Sequence, residues 1–459
     1  MDRWLQAALD YIPRWLEHQM RVSELPGCVI AIAQRDRIVL NRAFGHADLV
    51  RGMPLTPRHR FRVASHSKSF TAAGVMKLRE QRRLKLDDAV GVYVDGLHPK
   101  IAEASIGQLL SHSAGIIRDG TDSGQWQDRR PFLDEEELRA DLAQAPTIEA
   151  NTRFKYSNHG YALVGMAIEA ITSEPYASWI GRNIVEPAGL KQTLPDAPSA
   201  PGTPFARGHS GKLVLGHRVA FAGDAPTNAM MPATGFVSTA ADLAQFFGQL
   251  APTARRSVLS VASRREMFRR QWREPHSSFE RYYGLGIVSG RLEDWEWFGH
   301  SGGFQGYITR TVTVPAQGLT VSVLTNAADG LAHPWLDGAL HILRGFNKGG
   351  APARRLADWS GRWWSVWGAS DLVAVGNKVL VAAPGLPNPF MDASEIEVSR
   401  RDHGRIALAG GYANHGEPVR LLRNKNRRVV AVQLAGAKLV SERRLAKEMS
   451  VRYERRRRR

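Results

Sequence analysis

The chain has 459 residues, of which 43% are hydrophobic and 23% are charged, the balance of an ordinary globular protein. Its net charge of +18 is uneven, because residues 351–459 hold 22 Lys and Arg against 10 Asp and Glu, a net of +12. The sequence has no apolar run of about 18 residues, and its single cysteine excludes an internal disulfide and a cysteine-based zinc site. Its length suits roughly two to three domains.

The first twenty residues have apolar side chains at helical spacing. Charged residues, beginning with Arg3 and Asp10, interrupt the apolar stretch that a signal peptide needs. We therefore expect a cytoplasmic protein without a membrane span. The next segment, "GCVIAIAQ" at 27–34, is typical of a buried strand, in which Cys28 is a packing thiol.

Residues 27–45 predict a β-hairpin around a polar turn at Gln34–Arg37. From Ser65 the apolar pattern becomes helical. Further helices are predicted at 105–116, where Gly115 ends the helix, and at 134–145, 157–172 and 239–250, the last with Thr239 as N-cap.

Short apolar or alternating stretches then replace the helical pattern. They predict consecutive antiparallel strands within 282–290, 295–303, 307–315 and 319–326, followed by a helix at 333–346. The most economical arrangement is a mixed α/β (α+β) fold. In it both ends of a first domain, 1–346, build one antiparallel sheet with helices on its faces, and the helical middle is inserted between those strands.

The remaining chain has a different composition. Residues 347–355 predict a linker, 356–450 a small all-β, barrel-like domain, and 451–459 a basic tail. We expect the tryptophans of "GRWWSVWG", Trp363, Trp364 and Trp367, to form a core cluster of this domain. The tail is typical of a solvated terminus. Binding to nucleic acid or an acidic surface is the alternative, but no nucleic-acid-binding motif accompanies it, so no specific nucleic-acid partner is expected.

The segment "FRVASHSKSF" (61–70) places Ser65 and Lys68 one helical turn apart, so their side chains face the same way. Ser65 can be the cap of the helix. The alternative is a nucleophile that Lys68 activates, provided that burial lowers the pKa of the amine, although the motif alone favours the cap. Both interpretations stay open on this motif alone.

Two later segments favour the second interpretation. "FKYSNHGY" holds Tyr156 and Asn158, and "WFGHSGGFQGY" holds His300, Ser301 and Gly302. With Ser65-x-x-Lys68 before them, the chain resembles the serine β-lactamase and penicillin-binding-protein superfamily, especially its class C, D-aminopeptidase and esterase-like branch, over about residues 20–346. Two partial repeats, 209–211 and 412–414, are rejected because their context or order does not fit.

The resemblance implies a role for each residue. Ser65 attacks a carbonyl and forms an acyl-enzyme, and Lys68 and Tyr156 share the proton transfers, with the base left undecided. A tyrosinate beside a lysine cation is favoured by their mutual attraction. Asn158 accepts from the lysine amine and donates to a substrate carbonyl, and the backbone N–H groups of Ser65 and Gly303 form the oxyanion hole.

The motif His300-Ser301-Gly302 bears on the substrate. Many relatives have a lysine at the first position, whereas histidine is largely neutral near pH 7. The missing fixed cation weakens the case for penicillin hydrolysis and D,D-carboxypeptidase action, both of which involve anionic substrates.

The sequence therefore predicts a serine hydrolase that cleaves an amide or ester of a small-molecule or peptide-like substrate, in the manner of D-aminopeptidases, amidases and esterases. No metal or cofactor is expected. Packing is favoured over a zinc site for His66, His112 and His159. The alternatives are a β-lactamase or D,D-peptidase and a catalytically silent peptide-binding relative. A homo-oligomer is left open.

Overall fold

The structure is a computed structural model that describes residues 1–197, 202–274, 280–411 and 414–454. Tyr412 and Ala413 of the rejected repeat and the last five residues of the basic tail lie outside the described residues.

The α-helices are α1 (Arg3–Ser23), α2 (Ser67–Glu80), α3 (Pro99–Ala102), α4 (Ile106–Leu110), α5 (Glu135–Leu142), α6 (Asn158–Thr172), α7 (Tyr176–Ile180), α8 (Ala240–Leu250), α9 (Val261–Phe268), α10 (Ala332–Gly349) and α11 (Glu442–Met449). Within the described ranges, no helix is long and apolar enough to cross a membrane.

The chain divides into two compact units, Leu25–Leu336 and a second formed by Met1–Glu24 with Asp337–Arg459. In the second unit, α1 packs against the C-terminal residues, since Tyr11 Oη donates to Asp371 Oδ2 over 3.0 Å. No pattern in the sequence indicated this pairing. The predicted linker and domain boundaries stay predictions.

The first unit is built on a nine-stranded antiparallel sheet. Its strands are β1 (Gly27–Gln34), β2 (Arg37–Asp48), β3 (Met53–Pro54), β6 (Trp272–Arg273), β7 (Arg281–Tyr283), β8 (Val288–Leu292), β9 (Trp295–Phe304), β10 (Tyr307–Val314) and β11 (Leu319–Thr325), while β4 (Phe61–Arg62) and β5 (Val237–Ser238) pair separately. The order of the strands in the sheet is β3-β2-β1-β11-β10-β9-β8-β7-β6. Strand β1 lies beside β11, with Cys28 opposite Thr325. The predicted hairpin and the sheet made from both ends of the unit are therefore confirmed.

The helical middle of the unit packs around α2. Phe70 of this helix stacks between Phe236 and Phe246, at ring-centroid distances of 4.4 and 3.9 Å. Helix α8 lies against β1, β10 and β11 and begins as predicted, because Thr239 caps it by accepting from the backbone of Asp242. The predicted end of the helix at 105–116 is wrong. Helix α4 ends at Leu110, because His112 has a left-handed φ of 59°.

In the second unit, the predicted barrel-like domain is confirmed as a closed eight-stranded antiparallel barrel. Its strands are β12 (Gly361–Ser365), β13 (Gly368–Val375), β14 (Lys378–Ala382), β15 (Ser394–Arg400), β16 (His403–Leu408), β17 (Pro418–Arg423), β18 (Val429–Leu434) and β19 (Ala437–Val440). Trp363 packs against the barrel core. The expected tryptophan cluster is wrong for Trp367, which is 96% exposed at the β12–β13 turn.

Candidate active site

Ser65 lies in a short 3₁₀ turn, Ala64–His66, that leads directly into α2. Its Oγ accepts a hydrogen bond of 2.8 Å from Tyr156 Oη and lies 3.1 Å from Lys68 Nζ. Within the described residues, no side chain caps the N-terminus of helix α2. The cap interpretation of Ser65 is therefore wrong, since the hydroxyl is hydrogen-bonded to Lys68 of its own motif and to Tyr156 of a later one.

Lys68 is completely buried, and its Nζ has three hydrogen-bond partners. Besides Ser65, they are Asn158 Oδ1 at 2.6 Å and the backbone oxygen of Ala233 at 2.9 Å. Burial lowers the pKa of Lys68 well below its ordinary value, although the negative charge of Asp119 opposes this. A neutral amine has two N–H groups, which the two acceptor-only oxygens use, so its lone pair is left for the hydroxyl of Ser65.

Tyr156 is held in place by aromatic packing. The ring of His112 lies 4.1 Å from its ring centroid, and His112 Nδ1 accepts from the backbone of Ser157 over 3.1 Å. Burial raises the pKa of Tyr156, while its hydrogen bond to Ser65 acts in the opposite direction. Burial thus favours a neutral tyrosine and a neutral lysine, rather than the expected tyrosinate beside a lysine cation.

Asn158 links the amine to a carboxylate that the sequence reasoning missed. Its Oδ1 accepts from Lys68, as expected, but its Nδ2 donates to Asp119 Oδ1 over 2.5 Å. The same carboxylate oxygen accepts from Trp126 Nε1 over 2.8 Å. Asn158 is only 3% exposed, so the expected donation to a substrate carbonyl is not the arrangement in this structure. No motif in the sequence pointed to Asp119.

His300 lies on β9 and is 5% exposed. Burial, followed by the neighbouring ring of His66, lowers the pKa of His300 to about 3, which makes it neutral under ordinary conditions. Its Nε2 lies 3.1 Å from Tyr283 Oη, and its Nδ1 lies 2.7 Å from the backbone oxygen of Ser301. Both ring nitrogens are thus engaged by the protein itself.

The two glycines that follow have different surroundings. A Cβ atom added at Gly302 would lie 2.1 Å from the backbone oxygen of Val63, just before the turn of Ser65. A Cβ added at Gly303 would meet only Ile308 Cδ1, at 3.8 Å. The close main-chain approach is therefore made at Gly302, where the absence of a side chain lets β9 pack against the segment that carries Ser65.

Ser65 opens onto a cavity of about 450 Å³. The lining residues are Ser65, Arg118, Phe154, Tyr156, Trp272, Glu274, Arg281, Tyr282, Tyr283, Val288, His300, Ser301 and Gly303. The structure thus brings the predicted residues together. Lys68, Asn158 and Gly302 do not line the cavity themselves and lie behind the residues that do. Arg118 and Arg281 add fixed cations to the cavity lining and Glu274 adds a fixed anion, so the expectation about the charge of the substrate stays a prediction.

The other histidines near the motifs contact protein atoms. His66 Nε2 lies 3.1 Å from Thr311 Oγ1, and His159 Nε2 lies 2.9 Å from Asp141 Oδ2. In the described part of the chain, no group of three or more His, Cys, Asp or Glu side chains is placed to hold a metal ion. Positions 66, 112 and 159 are all buried, which is the environment of packing histidines.

The chain is similar in sequence to a known protein family and to several proteins. A family model described as Beta-lactamase matches residues 12–340. Penicillin-binding protein 4 of Amycolatopsis lactamdurans is 30% identical over 292 residues, which are 60% of this chain and 74% of that protein. Protein flp of Staphylococcus aureus (strain MW2) is 28% identical over 182 residues, or 39% of this chain. The chain spans only 36% of the length of that relative.

Solved structures share the fold. The octameric penicillin-binding protein homologue from Pyrococcus abyssi superposes with a TM-score of 0.66 at 23% identity, over 94% of this chain and 99% of that one. A D-stereospecific amidohydrolase from Streptomyces sp. superposes with a TM-score of 0.59 at 25% identity, over 70% of this chain and 94% of that one.

Proposed function

Because the chain belongs to the Beta-lactamase family, we propose that it is a serine hydrolase that cleaves an amide or ester bond through an acyl-enzyme on Ser65. One observation carries the proposal. A hydroxyl at the edge of a cavity lies within hydrogen-bond distance of a buried lysine amine and a partly buried tyrosine hydroxyl. An unaided serine is a poor nucleophile, and this arrangement supplies the base that it needs.

Lys68 is the base in the proposed mechanism. Its neutral amine takes the proton from Ser65 as Oγ attacks the carbonyl carbon, and the backbone N–H groups of Ser65 and Gly303 stabilise the oxyanion. Tyr156 passes its proton to the departing amine or alcohol and is reprotonated from Lys68. Lys68 then takes a proton from a water molecule that attacks the acyl carbon, the acyl bond to Ser65 Oγ breaks, and Lys68 returns the proton to Oγ as the acid departs.

The proposed substrates are small amides, peptide-like molecules or esters, and the similarity to a D-stereospecific amidohydrolase supports the amides among them. β-Lactamase or D,D-peptidase activity is the second candidate. It is supported by the cations in the cavity and by the similarity to penicillin-binding protein 4. No step of the mechanism requires a metal or cofactor. A cytoplasmic location and a homo-oligomer stay predictions.

A substrate panel tests the proposal. Rates on a p-nitrophenyl ester, a D-alanyl p-nitroanilide and a chromogenic cephalosporin are compared for the wild type, Ser65→Ala and Ser210→Ala. Ser210 belongs to the rejected repeat and is the matched control. We expect Ser65→Ala to lose turnover and Ser210→Ala to keep it. A folded wild type that turns over none of the three would favour a silent binder, and a cephalosporin preferred by orders of magnitude would favour the second candidate.

A further inference from the structure

Arg118 is a charged residue of the cavity that the proposed mechanism does not use. It lines the same cavity as Ser65 and Tyr156, and its side chain is 64% exposed. Its guanidinium carbon lies 5.5 Å from the ring centroid of Tyr156. A permanent cation is therefore held beside the group that passes the proton to the leaving group.

The position of Arg118 is fixed from two directions. Its backbone oxygen accepts from the backbone N–H groups of Asn158 and His159, over 2.9 and 3.3 Å, at the start of α6. Its Nε lies 3.0 Å from Asp119 Oδ2. Among the described residues, no hydrogen bond engages the two terminal nitrogens of Arg118. The N–H groups on that edge of the guanidinium are therefore available to a ligand.

The nearby carboxylates do not occupy that edge. Asp119 meets Arg118 through Nε, and its other oxygen accepts from Asn158 and Trp126. Glu274, which also lines the cavity, lies 3.9 Å from Arg281. Two terminal guanidinium nitrogens match the two oxygens of a carboxylate, the geometry in which arginine binds anions best.

We propose that Arg118 is a specificity-determining residue that binds a carboxylate carried by the substrate, so that preferred substrates have an anionic group in the same molecule as the scissile bond. The inference rests on the proposed function. It places the anion site beside Tyr156, on a residue that is not part of the His300-Ser301-Gly302 motif of strand β9.

Two esters of equal chain length test the inference, p-nitrophenyl hydrogen adipate and p-nitrophenyl hexanoate. The measured quantity is the ratio of their kcat/KM values, corrected for uncatalysed hydrolysis. We expect the wild type to prefer the adipate, and Arg118→Gln to lower the ratio about tenfold, the scale of one charge-assisted contact. Arg118→Lys should keep part of the preference, and added salt should reduce it.

Arg139→Gln is the matched control. Like Arg118, Arg139 is exposed and bonded through Nε to a carboxylate, that of Glu135 at 2.8 Å, but it lies outside the cavity. Arg139→Gln should leave the ratio of the two kcat/KM values unchanged. If both esters are turned over through Ser65 and Arg118→Gln keeps the wild-type ratio, the inference alone is overturned. If the folded wild type turns over neither ester and acquires no covalent adduct at Ser65, the proposed function fails and the inference fails with it.

Discussion

The Asp119 carboxylate accepts a 2.5 Å hydrogen bond from Asn158 Nδ2, and this bond determines which atom Asn158 presents to Lys68. With its nitrogen held by Asp119, the amide must turn its oxygen towards the lysine amine, 2.6 Å away. The oxygen takes one N–H of the amine, and the backbone of Ala233 takes another. A carboxylate outside every predicted motif thereby orients the proposed base.

Asp119→Asn removes the charge and keeps an oxygen that can accept from Asn158. The negative charge of Asp119 raises the pKa of Lys68, against the lowering effects of burial and of Arg118. Since the reaction needs the unprotonated amine, losing this charge should move the acid limb of the kcat/KM profile to lower pH. A change at the exposed Asp122, which lies 3.4 Å from Arg130, is the control and should not move the limb. An unmoved limb in Asp119→Asn would contradict the role.

His300 should not contribute to that acid limb. Burial lowers its pKa to about 3, so it stays neutral until the solution is strongly acidic. Activity should therefore rise with pH through the pKa of Lys68 alone. In His300→Gln the limb should keep its midpoint, whatever the rate at the plateau. A midpoint that shifts by a full pH unit would show that His300 titrates in the working range.

Lys68→Met keeps the length of the side chain and removes the base. We expect the acylation rate to fall about 10²–10⁴-fold, the usual contribution of a general base. Lys77→Met on the same helix is the matched control, because Lys77 Nζ donates to the backbone of Val258 and does not line the cavity. Single-turnover release of p-nitrophenol measures the step. Near-wild-type acylation by Lys68→Met would assign the base elsewhere.

The adjacent glycines should respond differently to alanine. At Gly302 the added Cβ meets backbone at 2.1 Å, so Gly302→Ala should lower the free energy of unfolding by about 1–3 kcal/mol or more. At Gly303 only a side-chain methyl lies within contact distance, so Gly303→Ala should change it by about 0.5 kcal/mol or less. Chemical denaturation measures both. Equal losses would contradict the packing of β9 against Val63.

The residues that the motifs predicted converge because each follows a strong local pattern. Ser65 and Lys68 are one helical turn apart around the start of α2, and Asn158 begins α6. His300 lies on β9. The spacing of apolar residues in the sequence predicts both helices and the strand. Asp119 and Arg118 lie between elements, in a segment without periodicity. Their importance depends on which distant side chains they meet, and no local spacing encodes that.

The protonation states also required the structure. From sequence, a lysine and a tyrosine side by side suggested an ion pair. The complete burial of Lys68 reverses that expectation, because moving a charge out of water costs more free energy than the attraction of one neighbouring charge recovers. The pairing of α1 with the C-terminal residues was missed for a similar reason, since contacts such as Tyr11 with Asp371 join residues 360 positions apart.

The most direct test of the central claim is the intact mass of the purified protein after exposure to a fluorophosphonate, followed by peptide mapping. A hydroxyl activated by Lys68 and Tyr156 should react once per chain, with the adduct on Ser65 and none on the Ser65→Ala variant. A properly folded wild type that stays unmodified, or that carries its adduct on another residue, would contradict the account.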